Sequence, residues 1–157
     1  MKIAGIPYRT IWPLGSGAVR VIDQSRLPFE FTTLDLTTLE DAAHAIKTMV
    51  VRGAPLIGAT AAYGLAMALR ADPSDRRIEE AASILRATRP TAVNLAWALA
   101  RVRSAIAKLA PAQRFEAAFR EAGSICDADV EQCRSIGVHG LDIIRQLEHH
   151  LGAASTS

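Results

Sequence analysis

Aromatic residues make up only 5% of this 157-residue chain, although half of it is apolar. The apolar content is carried by Ala, Leu, Ile and Val, which argues against an aromatic-rich β-sandwich and for close-packed helices. Charge of one sign is also missing. Lys and Arg number 18 against 16 Asp and Glu, a net charge of +2 with both signs scattered along the chain. There is no basic stripe, so no nucleic-acid partner is expected. Nothing approaches the roughly 18 uninterrupted apolar residues of a membrane span. The start, Met1 to Arg9, has too short an apolar run for a signal peptide, so a cytoplasmic protein without a membrane partner is expected. Cysteine is scarce. Cys126 and Cys133, the two present, would lie about 10 Å apart along a helix axis, too far to bridge, and read as free core thiols of a reducing compartment.

The chemical motifs that usually announce a function are absent as well. The sequence holds no P-loop, no glycine-rich dinucleotide fingerprint and no nucleophile elbow, so no cofactor is expected. His44 lies in an expected helix and reads as a surface or satisfied residue, His149 and His150 have no cysteine or carboxylate at ligand spacing, and no metal site is expected. His139, between Gly137 and Gly140, is the one histidine in a glycine-rich setting.

What is present divides the chain by period. Thr10 to Leu14 and Ala18 to Asp23, joined by Gly15-Ser16-Gly17, read as a hairpin whose first strand is an edge because of Pro13. Phe29 to Asp35 alternates well enough for a third strand. After Asp35 the period becomes helical. Thr37-Thr38-Leu39-Glu40 offers a capping box, a hydroxyl with a carboxylate three residues on, ahead of an apolar face of Ala42, Ala45, Ile46 and Met49. A second helix, beginning at Pro55 and running to Leu69, is apolar nearly all round and should be the central buried one. Asp72-Pro73-Ser74 ends it, Ile78 to Leu85 marks another helix, and Leu95 to Leu109 and Phe115 to Cys126 mark two more, starting near Pro90 and Pro111. A last helix carries Ile136, Ile143, Ile144, Leu147 and Leu151 and should be bent or broken at Gly137 and Gly140. The expected fold is α+β: a small antiparallel β-meander followed by a mainly helical bundle, one domain over 1–151, with 152–157 a disordered tail.

The most informative segment is Arg52-Gly53-Ala54-Pro55-Leu56-Ile57-Gly58. A helix start leaves backbone N–H groups unpaired at the positive end of the dipole. The glycine before it lets a ligand approach the backbone, and the arginine supplies a fixed cation with forked donors. Together these suit an anion such as phosphate. The plainer alternative, a tight turn into a packed helix with Arg52 solvated, stays open on pattern alone. Arg89-Pro90-Thr91 repeats the arrangement at another helix start, with Thr91 near the cap and Asn94 in the first turn. Both entrances either converge on one ligand or are ordinary helix beginnings.

Four ordered motifs, Asp23-Gln24-Ser25-Arg26-Leu27-Pro28, Met49 to Gly58, Arg89 to Leu95 and Ile136-Gly137-Val138-His139-Gly140, resemble those of the methylthioribose-1-phosphate isomerases. That family is related to the regulatory subunits of translation initiation factor 2B and to ribose-1,5-bisphosphate isomerases. The resemblance runs from about Thr10 to about Leu151. It implies an aldose–ketose isomerisation in methionine salvage, 5-methylthioribose 1-phosphate to 5-methylthioribulose 1-phosphate, with Arg52, Gly53, Ala54 and Arg89 contacting substrate. It also implies a second, Rossmann-like domain that carries a catalytic cysteine and aspartate. Neither Cys126 nor Cys133 falls in that motif, so no catalytic residue is assigned here. On this resemblance the chain is the amino-terminal lobe, inactive alone and a homodimer when complete. A non-catalytic regulatory or assembly module, or a ribose-1,5-bisphosphate isomerase, is the alternative.

Overall fold

A computed structural model describes the backbone of residues 2–3 and 5–154, and the side chains of residues 3 and 5–148. Contacts divide the chain into two units, 1–126 and 127–157. The first unit begins with a two-stranded ribbon, β1 (Lys2–Ile3) against β2 (Ile6–Pro7). The expected hairpin follows as β3 (Ile11–Leu14) and β4 (Ala18–Ile22), with Ile11 opposite Val21 and Leu14 opposite Ala18. Pro13 sits on the edge strand, where a missing donor is tolerated. The third strand, β5 (Thr33–Leu36), pairs antiparallel with β4, Val19 facing Leu36. It starts four residues later than the alternation suggests. Phe29 is 97% exposed and belongs to the preceding loop, which an ion pair between Arg26 and Glu30 at 2.9 Å spans.

The helices are α1 (Leu39–Lys47), α2 (Ala54–Ala71), α3 (Asp75–Thr88), α4 (Val93–Ile106) and α5 (Pro111–Ala154). The fold is therefore α+β, a small antiparallel sheet leading into helices. The cap of α1 is displaced by one residue from the expected box: Thr38 is the N-cap and Asp41 its partner. Met49 is not on the apolar face. α1 ends at Lys47, and Met49 turns away with φ 62°, the residue being 41% exposed. α2 is the central helix, every residue from Leu56 to Leu69 being buried. Around it pack Val19, Val21, Leu36, Ile46, Leu85, Leu95, Leu99 and Ile106. Burying a Leu or Ile side chain stabilises by about 1.5–3 kcal/mol relative to leaving it exposed, so α2 organises the core by being enclosed on all sides. Phe115, Phe119, Ala122 and Cys126 of α5 complete this core, with Phe119 edge-on to Tyr63 at 4.9 Å.

The sequence pattern predicts two helices after Pro111, the second bent or broken at Gly137 and Gly140. A single helix covers Pro111–Ala154 instead, both glycines included. An interior glycine weakens a helix by about 1 kcal/mol relative to alanine, which a long run of helix formers on either side outweighs. In the second unit Ile136, Ile143, Ile144 and Leu147 are each more than half exposed, and Cys133 is exposed and therefore not a core thiol. Residues 152–154, expected in the tail, are helical, and 155–157 lie outside the described residues. No described helix is long and apolar enough to cross a membrane.

Candidate functional site

The starts of α2 and α4 are built differently from those of α1 and α3. Thr38 caps α1 and accepts from the Asp41 N–H at 3.0 Å, with Glu40 and Asp41 in the first turn. Ser74 caps α3 and accepts from Arg77 N–H at 3.2 Å, with Asp75 in the first turn. By contrast α2 is preceded by Gly53 and α4 by Ala92, neither with a side-chain cap, and neither first turn holds an acidic residue. Their leading N–H groups thus have neither a side-chain cap nor a first-turn carboxylate, the local condition for holding an anion.

Gly53 makes the α2 start possible. Its φ of 88° and ψ of 136° belong to a region that side chains exclude. The first helical bond runs from Ile57 N–H to the Gly53 carbonyl at 3.0 Å, so the Ala54 and Leu56 N–H groups stand outside the ladder. α2 begins at Ala54, one residue before the expected Pro55, and the proline occupies the second position, where its missing N–H costs nothing. Arg52 is exposed. Its Nη2 donates to the Gln24 carbonyl at 2.5 Å, while Gln24 N–H donates to the Val50 carbonyl at 2.9 Å. The loop after β4 and the turn before α2 are thereby tied at two points. One edge of the guanidinium is satisfied, and its remaining donors are free to point elsewhere.

The α4 start lies beside it. Arg89 is the C-cap of α3, Pro90 and Thr91 form the turn, and Ala92 N–H closes it on the Arg89 carbonyl at 3.0 Å. α4 begins at Val93, three residues beyond the expected Pro90, and the Thr91 hydroxyl does not cap it. Arg89 is half-buried, with no side-chain hydrogen bond or ion pair among the described residues. What joins the two entrances is Gly58. A Cβ there would lie 2.9 Å from the Asn94 carbonyl oxygen and 3.5 Å from the Ala98 Cβ. The α2 backbone thus touches the first turn of α4, one turn (about 5 Å) from its own start. Arg52, Gly53 and Ala54 belong to one of these adjacent entrances, and Arg89 to the other.

Other candidates are less organised. His139 lies within α5, its Nδ1 2.7 Å from the Ser135 carbonyl oxygen. His149 and His150 have side chains outside the described residues. Among the described residues no three histidines, cysteines or carboxylates gather as metal ligands. Clefts of about 210 and 480 Å³ lie along α3 and α4, the larger reaching Asp75 at the start of α3 and Arg114 of α5, and the Glu79–Arg103 ion pair lines both. The Gln24 carbonyl that holds Arg52 is not legible in the sequence, because a backbone acceptor carries no residue signature. The Asp23-to-Pro28 motif was the one available pointer to it.

Structurally this is an α+β lobe whose central helix and neighbour start side by side, uncapped and flanked by arginines. The sequence pattern of the Initiation factor 2 subunit family matches residues 50–152, and the chain belongs to that family. It is 60% identical over 147 residues to the methylthioribose-1-phosphate isomerase of Methylobacterium nodulans, covering 93% of this chain and 40% of that protein. Among solved structures it is similar to the delta subunit of translation initiation factor eIF-2B from A. fulgidus, with TM-score 0.73 and 35% identity over 80% of this chain and 38% of that one. It is also similar to 5-methylthioribose 1-phosphate isomerase from Pyrococcus horikoshii, with TM-score 0.71 and 38% identity over 78% and 37%. The chain thus spans about 40% of the length of the curated isomerases it matches.

Proposed function

We propose that this chain supplies the sugar-phosphate-binding lobe for the aldose–ketose isomerisation of 5-methylthioribose 1-phosphate to 5-methylthioribulose 1-phosphate, a step of methionine salvage. Two uncapped, acid-free helix starts meeting at Gly58 and Asn94, each with an arginine beside it, carry this reading. In it the N–H groups of Ala54 and of the α4 first turn take phosphate oxygens, Gly53 leaves room for their approach, and Arg52 and Arg89 supply charge-assisted hydrogen bonds. The isomerisation moves a proton from C2 to C1 after ring opening, which needs an acid–base group within about 3 Å of the carbons. Arginine stays protonated and cannot be that base. On this reading the lobe binds and orients, and the acid–base groups belong to a part of the complete enzyme outside this chain, so the lobe alone does not turn over. The compartment is the cytoplasm, and the complete enzyme is a homodimer.

Arg52→Ala and Arg89→Ala, introduced into the chain, should each weaken binding of the sugar phosphate by tenfold or more, a loss of about 1.4 kcal/mol or above. Isothermal titration with 5-methylthioribose 1-phosphate measures this, and unchanged affinity in both variants defeats the assignment. The likeness to the eIF-2B delta subunit supports a second reading, a regulatory or assembly module. Co-purification of one defined protein partner, with no heat of binding for any sugar phosphate, would favour it.

A further inference from the structure

We propose that Met49 is the specificity-determining residue at the end of the sugar remote from the phosphate. Its side chain receives the methylthio group and so separates a ligand with an apolar tail from one that ends in a second phosphate. This rests on the sugar-phosphate reading above and deepens it.

Met49 occupies a position where a methionine has no local reason to be. It is the first residue beyond the C-cap of α1, a place ordinarily taken by glycine or asparagine. Its φ of 62° is a left-handed conformation disfavoured for any residue with a Cβ, and no other non-glycine among the described residues adopts positive φ. Core packing does not account for it either, because the residue is 41% exposed.

The backbone around it is fixed on both sides. Met49 N–H reaches the Ile46 carbonyl at 3.4 Å, Val51 N–H donates to the Ala45 carbonyl at 3.2 Å, and the Val50 carbonyl accepts from Gln24 N–H at 2.9 Å. Val51 is fully buried. A residue held in a disfavoured conformation by a well-anchored turn, beside a binding site, is where function tends to be stored.

Its place suits the chemistry. Met49 precedes Arg52 by three residues, so their Cα atoms lie within about 11 Å of each other. A 5-methylthioribose 1-phosphate carries its dianion on C1 and its thioether on C5, opposite ends of one pentose. An unbranched, polarisable thioether packs well against another apolar sulfur group. It offers no donor to a phosphate, which would lose hydration there without gaining a partner.

The test is methyl NMR of the whole chain carrying [13C-methyl]methionine. Of the three methionines, Met67 is buried in α2, and loss of one signal in Met49→Leu identifies the Met49 methyl. Titration with 5-methylthioribose 1-phosphate should shift that methyl together with the Gly53 and Ala54 amides. Inorganic phosphate and ribose 1,5-bisphosphate should shift the amides alone. Met49→Gly relieves the backbone, so it should melt no lower than the parent. It should nevertheless bind 5-methylthioribose 1-phosphate about tenfold more weakly, with phosphate affinity unchanged within about twofold. A purely structural methionine would give the melting result without the affinity result. A stationary Met49 methyl while the Gly53 and Ala54 amides move, or undiminished preference in Met49→Gly, overturns the proposal and leaves the sugar-phosphate reading standing. Amides that move for none of the three ligands overturn both.

Discussion

Arg52 donates through Nη2 to the carbonyl of Gln24, 28 positions earlier in the chain, at 2.5 Å. This bond turns a freely rotating surface cation into an oriented one. Gln24 is itself anchored on the Val50 carbonyl at 2.9 Å, so the guanidinium is held by the turn that launches the central helix. A flexible arginine would lose side-chain entropy on gripping a phosphate, and an arginine already bonded along one edge has less to lose.

Arg52→Lys isolates that effect. Lysine keeps the charge but has no planar fork to satisfy a carbonyl and an anion together. Because the side chain is exposed, stability should change by less than about 0.5 kcal/mol. Phosphate affinity should nevertheless fall about fivefold. Paired thermal melts and phosphate titrations check this; equal affinities would mean that charge alone matters at the position.

Gly58→Ala tests the contact between the two helix starts. In an ordinary helix interior the change would stabilise by about 1 kcal/mol. Here the new Cβ would lie 2.9 Å from the Asn94 carbonyl oxygen, a backbone atom that cannot rotate away. Net destabilisation of about 1–3 kcal/mol is expected from overpacking, with weaker phosphate binding as the α4 start is pushed outward. Urea unfolding measures the first effect, and a variant more stable than the parent would show that the helices can part without loss.

Arg114 is a cation in the core, 8% exposed. It donates to the Pro73 carbonyl at 2.8 Å and the Leu109 carbonyl at 3.2 Å, and pairs with Asp75 at 2.8 Å. The Asp75 side chain is 88% exposed, so the ion pair contributes little and the two carbonyls are what the arginine serves. Arg114→Ala should cost about 2–4 kcal/mol by leaving them unpaired, while Asp75→Asn should cost less than about 0.5 kcal/mol. Comparable losses from the two variants in urea unfolding would reverse that assignment.

Period carried the sequence reading where one face or every face is buried. α2 announced itself by being apolar all round, and Ile78, Ala81, Ala82 and Leu85 marked the inner face of α3. Period failed where a side chain alternates without being buried. Phe29 and Phe31 mimic a strand, yet Phe29 stands in solvent and β5 begins at Thr33. It failed again in α5, where two glycines looked like a break but a long helix absorbs their local penalty. At α1, adjacent threonines followed by adjacent acids allow two cap registers, and only the backbone chose Thr38 with Asp41. Arg52 and Arg89 were legible as cations before helices. Their neighbourhood was not, because it depends on a glycine fitting against a backbone carbonyl and on a second carbonyl holding a guanidinium, and neither oxygen belongs to a side chain.

Asp41 supplies a prediction about acid. Burial raises its pKa, but hydrogen bonds from the Thr37 N–H and hydroxyl, both at 2.9 Å, and from the Thr38 N–H at 3.0 Å outweigh that effect and hold the carboxyl below its usual range. The unfolded chain therefore binds this proton more readily than the folded one. The carboxylate's contribution is full above the ordinary carboxylate value and is lost as the pH falls through the depressed one. Asp41→Asn, which removes the charge and half of the capping box, should cost about 1 kcal/mol at neutral pH. Its stability should also decline less steeply than that of the parent between about pH 5 and about pH 2, so that the two curves converge in acid. Urea unfolding across that range provides the measurement, and curves that stay parallel down to the lowest pH would show that another group carries the acid sensitivity of this helix start.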